Sequence, residues 1–246
     1  MDRLVYTAMT GARHVMEQQA TVANNLANAT TTGFRAQLDS FRAVPVMADG
    51  LPTRVFVVDA TVGTDMRAGP IETTGRALDI AVRDQGWIAV QSADGSEAYT
   101  RNGGLKISAN GLLQNISGQN IQGEGGPIAI PPDTAVTIAA DGTVSTVSND
   151  YMPGPSNVLG RIKLVNPDPK GLVRGDDGLF RQSSGLPAEN DANVRVVDGA
   201  LEGSNVNPVD SMVNMISLAR QFEMQMSLMK NAENNAAKAT QILALS

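Results

Sequence analysis

The 246-residue chain has no cysteine and a single histidine. The first absence removes disulfides, thiolate metal sites and cysteine nucleophiles together. The second leaves His14 without a companion. A zinc site would need mostly carboxylates, and a Ser-His-Asp triad would have to draw its base from a helical-pattern segment beside Met16 and Gln18. Charge is also sparse, at 18% of residues against about a quarter in ordinary domains. The 19 basic and 25 acidic residues leave a net charge of −6 and a pI of about 4.8. The basic residues are scattered, so no nucleic-acid footprint is expected. No apolar run approaches the ~20 residues that span a bilayer. Met1-Asp2-Arg3 leads into an amphipathic pattern, not into an apolar core with a small-residue cleavage site. The expectation is a chain that is cytoplasmic or exported without a cleaved signal. The missing cysteines fit life outside the reducing cytosol without oxidative folding.

Glycine and proline are missing from the two ends. Residues 2–28 hold one glycine, Gly11, and no proline; residues 209–246 hold neither. Apolar residues recur there at steps of three and four. The first seam runs through Val5, Ala8, Ala12, Val15, Gln19, Val22 and Leu26. The second runs through Met212, Met215, Ala219, Phe222, Met226, Met229, Glu233, Ala236, Thr240 and Leu243. This is the stripe of a coiled coil with polar breaks. More apolar surface lies off both seams, at Tyr6, Met9 and Met16 and at Ile216, Leu218, Met224, Leu228, Ile242 and Leu245. Pairing the helices does not cover all of it, and exposed apolar surface of this extent marks a partner site. A second helix of about 36 residues would reach about 54 Å, long for a globular core. Five of the 11 methionines lie on it. They serve either core packing or an adaptable surface that fits unequal neighbours. Asn207 as cap, Pro208 at the first helical position and Asp210 against the dipole mark its start.

Between the ends, short alternating runs and turn signals predict many strands, in an antiparallel sandwich or barrel. Strands are expected at residues 78–82, 87–90, 98–101, 105–107, 112–116, 128–130, 136–139, 143–147 and 158–165. Asp94-Gly95, Asn102-Gly103 and Asp141-Gly142 are expected as turns and Pro153-Gly154-Pro155 as a loop. Residues 54–58 read as a strand within an irregular connector, and residues 193–197 and 199–201 as a returning arm able to pair with it. The fold class expected is α+β, with coiled-coil-like terminal helices flanking an extended β connector and an antiparallel all-β centre. The boundaries expected are residues 1–32 with 207–246, 33–76 with 185–206, and 77–184.

The remaining motifs carry little chemistry. Gly123-Glu124-Gly125-Gly126-Pro127 lacks the Lys-Ser/Thr pair of a P-loop and no helix pattern follows. Asp176-Asp177-Gly178 lacks the alternating ligands of a calcium loop. No catalytic, cofactor or metal residue is assigned.

The termini carry a resemblance. Ala23-Asn24-Asn25-Leu26-Ala27-Asn28 with Thr32-Gly33-Phe34 resembles the N-terminal signature of flagellar rod and hook proteins. Gly199-Ala200-Leu201-Glu202-Gly203-Ser204-Asn205-Val206, continued by Met215-Ile216 and Arg220-Gln221-Phe222-Glu223, resembles their C-terminal signature. Tyr99-Thr100-Arg101-Asn102-Gly103 and Ala139-Ala140-Asp141-Gly142-Thr143 look like the centre of the rod branch. Residues 1–9, Leu51-Pro52-Thr53-Arg54 and the Gly123–Ile128 segment narrow it to the proximal rod.

The resemblance implies a structural subunit of the basal-body rod, a hollow drive shaft crossing the periplasm. It implies export through the flagellar type III apparatus and inner-tube packing of the terminal helices. The partners implied are other copies of the chain, related subunits of the proximal and distal rod, and the peptidoglycan-associated ring, with no nucleic acid and no direct membrane insertion. In the free monomer the helices are expected to be frayed, because packing supplies most helical stability. Val5, Val15, Val22, Leu26, Met215, Phe222, Met226 and Met229 are expected to hold the helix pair or the tube. Gly33-Phe34 and Ser204-Asn205 read as the corners between helices and body, or as ordinary turns. The alternatives are a distal-rod or hook-type protein, a secreted β-domain enzyme acting on cell-wall polysaccharide, and an adhesin or phage-tail-like tube protein.

Overall fold

A computed structural model describes residues 2–45, 55–148 and 156–244 of the chain. Leu51-Pro52-Thr53-Arg54 and the Pro153-Gly154-Pro155 loop lie outside the described residues. The class is α+β, as the sequence indicates: one helix at each end and antiparallel β structure between. The chain divides into two compact units, residues 1–29, 36–65 and 206–246 forming the first and residues 30–35 and 66–205 the second.

The first unit holds α1 (Asp2–Ala27) and α2 (Pro208–Ala244), which pack against each other. The second helix is 37 residues long. It begins where the cap signal puts it: the Asn207 side-chain oxygen accepts from the Val209 N–H at 3.0 Å and the Asp210 N–H at 3.4 Å. Those donors have no partner within the helix, so the cap satisfies them. Asn207→Ala is expected to cost about 1 kcal/mol of helix stability, read as faster hydrogen exchange confined to the Val209 and Asp210 amides.

Two long strands complete this unit, β1 (Gln37–Pro45) and β2 (Val55–Thr64), antiparallel with a bulge between Ser40 and Phe41. Side chains of α1 hold β1. The Asn25 amide donates to the Gln37 carbonyl at 2.9 Å and accepts from the Gln37 N–H at 2.8 Å. The Thr21 hydroxyl donates to Asp39 at 2.9 Å, and the His14 ring meets Phe41 edge-on at 6.0 Å. His14 thus belongs to the packing of helix on hairpin.

In the second unit, β3 (Ile71–Thr73) and β4 (Ile80–Arg83) lead into β5 (Trp87–Gln91), β6 (Glu97–Thr100), β7 (Leu105–Ile107), β8 (Leu113–Asn115), β9 (Asn120–Gly123) and β10 (Gly126–Pro127). Next come β11 (Thr134–Ile138), β12 (Thr143–Ser148), β13 (Asn157–Arg161), β14 (Leu164–Val165), β15 (Leu172–Arg174), β16 (Phe180–Gln182), β17 (Arg195–Asp198) and β18 (Ala200–Glu202). The largest sheet has nine strands in the order β15-β16-β6-β5-β9-β8-β7, with β10 on β9 and β14 on β5. A second sheet runs β11-β12-β13. The pairs β17-β4 and β18-β3 bring the returning chain onto the outgoing one.

The core lies where alternate residues of these strands meet: Ile80, Ile88, Leu105, Leu113, Ile121, Val144 and Ile162 are fully buried. On the other face of β5 and β6, Trp87 packs on Phe180 with ring centroids 4.6 Å apart, beside Tyr99. The Tyr99 hydroxyl accepts from the Ala188 N–H at 2.7 Å and donates to Glu97 at 3.0 Å. Burial pushes this phenol up to about 12.

Several local readings shift. Asn102-Gly103 does not close a hairpin: β7 pairs with β8, and residue 103 runs against β4. A Cβ at Gly103 would lie 1.7 Å from the Ile80 carbonyl oxygen, so close backbone approach sets the need for glycine. Residues 128–130 form no strand; Ala129 makes one bridge to Leu112. The run expected at 158–165 divides at Ile162-Lys163 into β13 and β14, which join different sheets.

Candidate functional site

Two features stand out, one in each unit. In the first unit it is the helix pair. On α1, Val5, Ala8, Ala12, Val15, Gln19, Val22 and Leu26 all turn from solvent, with Ala8, Ala12 and Val15 buried. On α2 the inward stripe is Ser211, Met215, Leu218, Phe222, Gln225, Met229, Ala232 and Ala236. Its three- and four-residue steps are those of a heptad seam. Met215, Phe222 and Met229 therefore lie on the stripe, whereas Met212 and Met226 are 52% and 45% exposed and Glu233 is also outside it. Adjacent apolar residues at 218 and 219 fit the same spacing equally well, so the period alone does not choose between them. Gly11 faces Gln225 of this stripe. A Cβ there would lie 3.2 Å from the Gln225 side chain, so the bare glycine lets that amide lie against α1. Leu243 falls in the last part of α2, where side chains are outside the described residues.

The outer side of the pair stays apolar. Tyr6, Met9 and Met16 on α1 are exposed, as are Val209, Met212, Val213, Ile216, Met224, Met226 and Leu228 on α2. The residues at 209, 212, 213 and 216 lie on one face at helical spacing. All five exposed methionines among the described residues are on these two helices.

In the second unit the feature is a buried ion triad. The Glu202 carboxylate, 1% exposed at the end of β18, faces two guanidinium groups. Arg35 Nη2 lies 2.6 Å from one oxygen and Arg101 Nη1 2.8 Å from the other. The first oxygen also accepts from the Gly69 N–H at 2.9 Å. Arg101 donates further to the carbonyls of Val82 at 3.2 Å and Asp84 at 2.7 Å. Trp87 closes the cluster, its ring 6.0 Å from the Arg35 guanidinium carbon and 5.5 Å from that of Arg101. Burial pushes the Arg101 guanidinium below its ordinary value; Glu202 opposes that shift and Arg35 adds to it.

The signature residues of the second unit lie close to this triad. Gly33 has φ +69°, and its N–H donates to the Glu202 carbonyl at 2.7 Å. A Cβ there would lie 2.4 Å from the Arg101 carbonyl carbon, so both conformation and space exclude a larger residue. Phe34 is buried beneath the Arg174 guanidinium at 4.5 Å, and its carbonyl accepts from the Asn205 N–H at 3.3 Å. The Asn205 side chain donates to the Arg67 carbonyl at 3.0 Å. Leu201 pairs with Glu72, and Ser204 is buried. In the first unit, Val206 is buried, Asn25 holds β1, and Ala23, Asn24 and Ala27 are exposed. The Asn28 amide closes the helix end by donating to the Asn24 carbonyl at 2.9 Å.

Arg35 was not singled out by the sequence. The only signal was its position directly after Thr32-Gly33-Phe34. Arg101 appeared in a motif without a partner, and its partner stands 101 residues away. Asp177, the member of the acidic turn nearest a metal-like pattern, is instead held by Arg181 at 2.6 and 3.0 Å. Among the described residues, no three His, Asp or Glu side chains come together to hold a metal, and no helix is long and apolar enough to cross a membrane.

Three segments of the chain match families of known proteins. Residues 5–35 match the flagella basal body rod protein family, residues 81–146 the flagellar hook protein FlgE/F/G D1 domain, and residues 197–242 the flagellar basal body rod FlgEFG protein C-terminal family. These matches put the chain in the class of flagellar rod and hook proteins, and each matched segment contributes one member of the triad: Arg35, Arg101 and Glu202. Over its full length the chain is 48% identical to the flagellar basal-body rod protein FlgF of Escherichia coli strain K12 and 46% identical to that of Salmonella typhimurium, covering all of both proteins. It is 32% identical to FlgF of Caulobacter vibrioides, over 99% of this chain and 98% of that one. The chain belongs to the FlgF family of flagellar basal-body rod proteins.

Proposed function

We propose that this chain is a structural subunit of the proximal rod of the flagellar basal body, the hollow shaft that crosses the periplasm. It reaches that place through the flagellar type III apparatus, and it performs no catalysis. Its neighbours are further copies of the chain and related subunits of the proximal and distal rod, with the peptidoglycan-associated ring outside. Residues 1–32 and 207–246 are the assembly part.

The observation that carries this reading is the apolar outer face of the helix pair. Two helices that bury one stripe against each other yet leave Ile216, Met224 and Leu228 in water are half of a larger packing arrangement. Docking removes that face from solvent, at about 25 cal/mol per Å² of apolar surface. Met215, Phe222 and Met229 hold the pair within the subunit, and Met212 and Met226 meet neighbours. Methionine suits the outer role, since an unbranched thioether adapts to unequal environments around a helical tube.

Ile216→Asp tests this directly. Ile216 is 56% exposed, so the purified variant is expected to melt within about 0.5 kcal/mol of the parent. Basal bodies from cells carrying it should lack the subunit, and the cells should not swim. Normal swimming with normal incorporation would remove the outer face from the account.

A further inference from the structure

The largest sheet carries a second, unrelated surface. A groove of about 520 Å³ opens over β5, β9 and β8, lined chiefly by Gln91, Ser92, Gln114, Gln119, Asn120 and Asp177. Three of these amides are direct cross-strand partners: Gln91 stands opposite Asn120, and Asn120 opposite Gln114. They form a relay on one face of the sheet. Gln114 donates to the Asn120 side-chain oxygen at 2.9 Å, and Asn120 donates to that of Gln91 at 3.3 Å. The neighbouring Gln119 is held by Asn115, whose side chain donates to it and accepts from the Gln119 N–H at 2.9 Å.

The relay leaves polar capacity unused on residues that line the groove. Each amide has two N–H groups and an oxygen with two lone pairs. Gln114 uses one N–H, Asn120 one N–H and its oxygen, and Gln91 only its oxygen. Unused N–H donors therefore recur along the sheet at the strand spacing of about 4.8 Å, with an unused oxygen at Gln114. The lining carries no Lys or Arg, which argues against a phosphate. Its one carboxylate, Asp177, is engaged by Arg181, which argues against a cation. Apart from Ala93, the lining has no apolar side chain, so a hydrophobic peptide finds nothing to bury against.

We infer that this groove binds a neutral, polyhydroxylated chain, a glycan, whose adjacent hydroxyls pair with the Gln91–Asn120–Gln114 relay. Neighbouring hydroxyls each donate and accept, as the amides do, and the repeating ladder matches a repeating ligand. With no aromatic platform for a sugar ring, the affinity is weak, with Kd about 1 mM. The inference does not rest on the rod reading, since it concerns the β-rich unit of the monomer.

The test is side-chain amide NMR of the full-length ¹⁵N-labelled protein with chitotetraose, maltotetraose and, separately, inorganic phosphate, each to about 10 mM. Saturable shifts of the Gln91, Asn120 and Gln114 NH₂ signals with either sugar are the expected result. Chitotetraose alone would mark an N-acetylated glycan, and both sugars a neutral glycan in general. Gln114→Leu should weaken the response at least about tenfold with unchanged melting, and Gln91→Leu should do the same. Overturning results are no shift with either sugar, a response to phosphate alone, or a sugar response that both leucine variants retain.

Discussion

Glu202→Ala is expected to lower the melting temperature of the β-rich unit by about 10 °C. Breaking a buried ion pair by removing one partner typically costs 3–5 kcal/mol, because the remaining charge stays buried without compensation. In a domain of this size each kcal/mol moves the midpoint by about 2–4 °C. Here two guanidinium groups are left facing each other, and the backbone N–H of Gly69 loses its acceptor as well. The chain has one tryptophan, and that ring is the one both arginines lie against. Its fluorescence therefore reports the triad and the unfolding together. The cause is separable from general damage to the core: the triple variant Arg35→Met, Arg101→Met, Glu202→Leu removes all three charges and should recover much of the loss. A single variant that melts within about 2 °C of the parent would show that the triad does not hold the unit. The geometry also explains why the three matched segments belong to one structure. The two arginines come from the first and second segments, and the carboxylate that pairs with both comes from the third.

What could be read in the sequence depended on how local its cause was. Both helices, the α2 cap at Asn207 and the turns at Asp94-Gly95 and Asp141-Gly142 follow from residues within a few positions of one another. The stripe on α1 was legible because its apolar residues leave one choice of face. On α2, apolar residues at 212 and 213, 215 and 216, and 218 and 219 allow neighbouring phases, and the choice is made by packing against α1, which is distant in sequence. Strand β1 was missed because Gln37, Asp39, Ser40 and Arg42 break the apolar alternation; it is held by Asn25 and Thr21 of α1 instead. The triad was illegible for the same reason. Nothing local to Arg35 or Arg101 states that a carboxylate will arrive from Glu202 on the opposite arm of the chain.

Phe222→Asp is expected to abolish both incorporation into the basal body and swimming, by a different route from Ile216→Asp. Phe222 lies in the inward stripe of α2, between Met215 and Met229 and one turn from buried Leu218. A carboxylate there must either be desolvated against α1 or drive the helices apart, and no basic residue shares that stripe to pair with it. Isolated helices are marginal in water, so α2 loses helicity once its packing is gone. The purified Phe222→Asp protein should therefore show reduced far-ultraviolet helical signal, whereas Ile216→Asp keeps it. Phe222→Leu, which retains an apolar side chain of smaller volume, should restore the helical signal and at least part of the swimming. Normal swimming by Phe222→Asp cells would refute the seam. Loss of swimming with the helical signal intact would move Phe222 from the bond within the subunit to the contact between subunits.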